Sequence, residues 1–171
     1  MITMKFLILI TIFGASTSIG FLMSKKYKNR VLELREFKNA INTLETKIKF
    51  TYEPIPEVFK EISKNLQQNI SEMFKKASEY IGERTTQDAW NKAIEESQPN
   101  LSLNNEDINI IRNLGNLLGK TDVEGQISEF KVPLNCIDAQ IIKAETERHK
   151  IEKMYRSLGT IVGLAIVIIL I

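Results

Sequence analysis

VLELREFKNAINTLETKI, residues 31–48, sets an α-helical period that the rest of the central region repeats. Val31, Leu34, Phe37, Ile41, Leu44 and Ile48 recur in steps of three and four, the spacing that gathers apolar side chains on one helix face. Pro54 and Pro56 interrupt this first helix, and Pro56 fits the first position of a second one carrying Val58, Phe59, Ile62 and Leu66. A third face, Ile70, Phe74, Ala77 and Ile81, ends near Gly82. Thr85 with Asp88 three residues on reads as the capped start of a short fourth helix bearing Trp90 and Ile94, which Pro99 closes. Trp90 is expected in the core.

Asn104 reads as the N-cap of a fifth helix with Ile108, Ile111, Leu114 and Leu118. Gly119 stands where a helix C-terminus favours a residue tolerant of positive φ. Thr121-Asp122-Val123-Glu124 is a capping box that opens the sixth and longest helix. Its seam is close to a heptad: Ile127, Phe130, Leu134, Ile137, Ile141, Ala144, Arg148, Ile151, Tyr155, Leu158. Pro133 lies inside it and is expected to bend or break the helix, because it removes a backbone donor. No run alternates as a half-buried strand does, and short connections favour antiparallel neighbours. The expectation is an all-α fold, an antiparallel six-helix bundle.

Two apolar segments flank this region. Ile2 to Met23 is broken only by Lys5, and Leu158 to Ile171 is unbroken, whereas all 21 acidic residues lie between them. At ~1.5 Å per residue the first reaches about 33 Å, enough for a hydrocarbon layer of ~30 Å. The second reaches ~21 Å. It spans if the bilayer thins or if Lys153 and Arg156 snorkel outward. Gly14 to Ser18 are small enough to resemble a signal-peptide cleavage site. Against cleavage, the apolar run resumes at Ile19 to Met23, and Lys25, Lys26, Lys28 and Arg30 follow at once.

The expected domains are therefore a transmembrane helix over 1–23, a helical bundle over 24–157 and a second transmembrane helix over 158–171. Lys143, Arg148, Lys150, Lys153 and Arg156 precede the second segment, so the positive-inside rule places the central domain in the cytosol. The sequons at Asn69 and Asn100 are then chance matches.

Chemistry is sparse. A net charge of +2, with no basic stripe interleaved with aromatics, argues against a nucleic-acid partner. The lone Cys136 excludes an intramolecular disulfide and is expected to be a buried or half-buried small residue. No Cys/His cluster is present to hold a metal. Asn116 to Thr121 invites a phosphate-loop reading, but the position five before Gly119 is Leu114, Gly115 is out of register, and no strand precedes the stretch. His149, the single histidine, lies among Glu147, Arg148 and Lys150, as a solvated helical residue would. Nucleophile, base, metal and cofactor sites all fail on inspection. That disfavours an enzyme and leaves a scaffold that other proteins contact.

Several stretches resemble the stage III sporulation protein AB family. They are Gly20-Phe21-x-Met23 with Tyr27, Arg30 and Leu34; Leu44-Glu45, Ile48 and Pro54 to Glu57; and Ala89-Trp90. To these add Leu114-Gly115 with Leu118-Gly119, Asp122 and Gln126, and Glu152-Lys153-Met154 before Ser157-Leu158-Gly159 and Gly163. The resemblance runs in order along essentially the whole chain. It implies a membrane component of the channel, or secretion-like apparatus, that joins mother cell and forespore in endospore-forming bacteria. Its implied place is the cell membrane on the mother-cell side, at the outer forespore membrane.

Family members look like the cytoplasmic domain of the type II secretion inner-membrane platform protein, a six-helix bundle. By that analogy the domain would face the mother-cell cytoplasm and dock a motor ATPase resembling stage III sporulation protein AA. It would also contact other membrane components of the complex; self-association is left open. Gly159 and Gly163 form a small-xxx-small face that lets another membrane helix approach closely.

The rival is a sensory receptor whose helical ligand-binding domain lies outside the cell between two membrane helices. Receptors of that kind continue past the second anchor into a signalling region, whereas this sequence ends at Ile171. They also need Lys and Arg on the opposite flanks.

Overall fold

The computed structural model describes residues 2–51, 53–118 and 123–170, with side chains described for 25–51, 53–67, 69–118, 129–155 and 157–158. Among the described residues there are six α-helices, one 3-10 turn and no strand. The helices are α1 (Ile2–Phe50), α2 (Ile55–Lys64), α3 (Gln68–Tyr80), α4 (Thr86–Ser97), α5 (Asn105–Gly115) and α6 (Val123–Leu170), with the 3-10 turn at Gln98–Asn100. The fold is all-α. Two compact units divide the chain, one of Met1–Asn29 with Ala144–Ile171 and one of Arg30–Lys143. Among the described residues no helix is long and apolar enough to cross a membrane. The segments assigned above to the bilayer, 1–23 and 158–171, lie outside the residues with described side chains, save Leu158.

The apolar stripe of residues 31–48 is buried as its spacing requires, all six side chains included. The helix that carries it starts well before the stripe, because no glycine or proline between Ser24 and Arg30 stops it. It ends at Phe50, where Thr51 turns back on the Lys47 carbonyl with both its backbone N–H and its hydroxyl. Pro54 then precedes α2 in an extended conformation, and Pro56 occupies the second helical position rather than the first. There its missing N–H is one that has no intrahelical partner anyway.

Four rings from four helices form the centre of the 30–143 unit. Phe37 of α1, Phe59 of α2, Phe74 of α3 and Trp90 of α4 meet in tilted and edge-on pairs with centroids 5.3 to 6.2 Å apart. The Trp90 indole N–H donates to the Ile111 carbonyl at 2.9 Å, which brings in α5. Phe130 and Ile137 of α6 join the same core, with Leu134 and Ile141 packed on it.

The structure departs from expectation at four further points. Helix α5 ends at Gly115, earlier than Gly119: Asn116, Leu117 and Leu118 donate to carbonyls three residues back, so the chain leaves the α-helix in a tightened turn. Gly115 is the glycine that packing demands, because a Cβ there would collide with Trp90 Cδ1 and lie 3.1 and 3.2 Å from Cγ and Nε1. Pro133 lies inside α6 without ending it. Cys136 is exposed, on the side of α6 away from Phe130 and Ile137. Leu158, expected on the seam of the sixth helix, is also exposed.

Gly115→Ala is therefore expected to destabilise the protein by about 1–3 kcal/mol through overpacking. Trp90 is the one tryptophan of the sequence, so its fluorescence reports the core directly during urea unfolding of the detergent-solubilised chain. An unchanged midpoint would mean that Trp90 has room to move aside.

Candidate functional site

The polar chemistry of the 30–143 unit is concentrated in one buried cluster. Arg30 of α1 is 5 % exposed, Asp107 of α5 is 1 % and Gln140 of α6 is 8 %. Arg30 Nε donates to Asp107 Oδ2 at 2.7 Å, and Nη2 donates to Asp107 Oδ1 at 3.0 Å, a fork-on-fork pair. The same Nη2 donates to Gln140 Oε1 at 3.0 Å. Three helices thus meet on one guanidinium.

Asp107 has a second role. It is the third residue of α5, and its Oδ2 accepts from the Asn104 N–H at 2.9 Å while its own N–H donates to Asn104 Oδ1 at 2.9 Å. This reciprocal capping box ties the start of α5 to the ion pair. The neighbouring pairs Lys38–Asp138 and Lys143–Glu106, each at 2.6 Å, also link helices, but their side chains are a third to more than half exposed. Exposed pairs contribute little, about 0–1 kcal/mol, whereas breaking the buried pair leaves a charge stranded out of water.

One helical turn along α1, Glu33 is buried and accepts from Asn69 Nδ2 at 3.1 Å and from the Ser102 N–H at 2.7 Å. Glu36 accepts from the Gln67 N–H at 3.2 Å. Two carboxylates of α1 thereby hold the chain before α3 and the connection before α5. Burial pushes the Glu33 carboxyl above its ordinary value, opposed by the hydrogen bonds from Asn69 and Ser102; Glu36 adds a smaller upward push by repulsion. Burial likewise raises Glu36, opposed by the Gln67 N–H. A raised carboxyl favours the folded state most below its ordinary value and loses that contribution as pH rises through the raised one. Glu106 moves the other way. The hydrogen bond from Lys143, then that lysine's charge, lowers it, so its contribution is lost as pH falls through the lowered value.

Of the residues singled out in the sequence, Pro54 and Pro56 sit at the start of α2. Gly119, Thr121 and Asp122 lie outside the described residues, as do the side chains of Glu124, Gly159 and Gly163. Trp90 is fully buried and His149 exposed. Thr85 caps α4 by accepting from the Asp88 N–H at 3.1 Å. Among the described residues no group of three His, Cys, Asp or Glu side chains is placed to hold a metal. Sequence reasoning misses the buried cluster, since it takes Arg30 as a membrane-flanking charge. A signal is present nonetheless: Arg30 precedes Leu34 by four, Asp107 precedes Ile111 by four, and Gln140 follows Ile137 by three. Each is a polar residue in the register of its helix's apolar stripe.

These features define a class: an all-helical protein organised around a buried inter-helix ion pair, with no catalytic constellation among the described residues. The chain belongs to the stage III sporulation protein AB family, whose sequence pattern matches residues 5–171. It is similar to stage III sporulation protein AB of Bacillus subtilis (strain 168), with 30% identity over 169 residues that cover 98% of this chain and 99% of that protein. A solved structure of a stage III sporulation protein AB superposes with a TM-score of 0.68 at 24% identity. That superposition covers 71% of this chain and 98% of the other, and supports the fold.

Removing one partner of the buried pair strands the other charge. Asp107→Ala is expected to cost about 3–5 kcal/mol, whereas the triple change Arg30→Met, Asp107→Leu, Gln140→Leu recovers most of that loss. Urea unfolding of the full chain and the two variants, followed by Trp90 fluorescence, checks this. A triple variant no more stable than Asp107→Ala would assign the site's contribution to the capping box instead.

Proposed function

We propose that this protein is a non-enzymatic platform subunit of the secretion-like channel complex between mother cell and forespore. Its two apolar ends are membrane helices, and its central bundle, with antiparallel helices, stands in the mother-cell cytoplasm. There it docks a motor ATPase resembling stage III sporulation protein AA and couples it to other membrane components of the complex. Family membership over nearly the whole chain supports the reading.

The observation that carries the coupling is the continuity of α6. One helix, Val123–Leu170, contains the core residues Phe130 and Ile137 and also the apolar stretch from Leu158 onward. A displacement imposed on the bundle at Ile137 passes along one continuous helix toward the anchor, past the single donor that Pro133 removes earlier in α6. Gly159 and Gly163 then offer the face on which another membrane helix packs.

A flexible glycine linker inserted after Arg156 should abolish sporulation while the protein remains present and membrane-inserted. Spore counts and membrane fractionation on the same culture check both parts. Unchanged spore yield would remove the coupling role of α6.

A further inference from the structure

We propose that the outward face of α6 in the 30–143 unit pairs with the same face of a second copy of this chain, the two helices parallel and in register. Among the described residues of the unit, the large apolar side chains left exposed are Phe50, Val132 and Ile142. Phe50 lies on α1 beneath the Lys49 ammonium. Val132 and Ile142 share α6, 67 % and 66 % exposed, about 15 Å apart along the helix.

Asn135 and Ala139, both exposed, stand between them on the same side, in steps of three, four and three. That is the a/d spacing of a two-stranded coiled coil. It lies across the helix from Phe130 and Ile137, which serve the bundle core. Helix α6 thus spends one side inside the bundle and keeps a second seam outside it.

The charges beside the seam say which helix fits. Asp138 flanks one edge and Lys143, five residues on, flanks the other, each about half exposed. In a parallel, in-register pair those edges meet with that offset, so each Asp138 meets Lys143 of the second copy. The sequence repeats the arrangement seven residues later with Glu145 and Lys150. Within the unit Asp138 meets Lys38 and Lys143 meets Glu106. A carboxylate with about four acceptor sites and an ammonium with three protons each have capacity for another contact. Asn135 faces its own copy, and an amide carries donor and acceptor together, so that contact satisfies itself.

A partner of one charge sign would meet one edge and be repelled by the other. A helix with this chain's own spacing of acid and base meets both. The parallel sense has a second reason, which rests on the membrane reading: two copies anchored in one bilayer by the end of α6 present that helix the same way up. Shared anchoring also raises their effective concentration, so a short seam suffices.

The test uses the full chain in membrane vesicles from sporulating cells, carrying Cys136→Ser and one introduced cysteine, either Val132→Cys or Ile142→Cys. Each variant alone should form disulfide-linked dimers under copper phenanthroline, because each position faces itself. Lys75→Cys, exposed on α3, should give only the collision background. Cys136 sits at the margin of the seam, offset by five from Lys131 of the second copy. Cys136→Glu should therefore associate more tightly than Cys136→Lys, about tenfold, by sedimentation in detergent micelles. Trp90 fluorescence checks that every variant is folded.

Cross-links no stronger than the Lys75→Cys background would overturn the proposal. So would cross-links that need Val132→Cys and Ile142→Cys chains mixed, the mark of antiparallel pairing, or cross-links to a different protein in place of the dimer. Equal association of Cys136→Glu and Cys136→Lys would contradict the register. Fractionation of the same cells reads anchoring separately, so the pairing and the membrane reading can fail independently.

Discussion

The buried contact between Arg30 and Asp107 holds the 30–143 unit in one arrangement. Two full charges are withdrawn from water there, and each is tolerated only because the other meets it with two hydrogen bonds. The geometry leaves little freedom. Arg30 also engages Gln140, and Asp107 also engages Asn104, so α1, α5, α6 and the turn before α5 share one register. The aromatic centre contributes burial, but burial is non-directional and accepts more than one packing. A bidentate ion pair is directional, so arrangements that part its two charges are disfavoured.

The apolar architecture is legible in the sequence because its physical cause is local. Periods of three and four mark the buried faces of the helices, Thr85 and Asn104 mark where helices start, and Pro56 marks the start of α2 to within one residue. What escapes such reading depends on distant partners. Asn104 shows itself as a cap from its place before the apolar stripe of α5, yet nothing near Asp107 in sequence announces a guanidinium contributed 77 positions earlier. Gly115 looks like an ordinary helical glycine until Trp90 is set against it, and backbone preference alone favours Gly119 as the helix end. Cys136 departs from the general tendency of free cysteines toward burial because its register on α6 turns it outward from Phe130 and Ile137. Polar residues at apolar stripe positions are the transferable signal.

A unit with a stiff, register-locked interior suits a platform that must transmit a push rather than dissipate it. An enzyme's constellation has no counterpart among the described residues.

The platform role requires the 30–143 unit to lie on the cytosolic side of the membrane. Cys136 is the one cysteine of the sequence and is exposed, so it serves as a native address label. Intact sporulating cells treated with a membrane-impermeant maleimide should leave Cys136 unmodified, with full modification after permeabilisation. Labelling of Cys136 in intact cells would place the unit outside the cytosol and contradict the platform account.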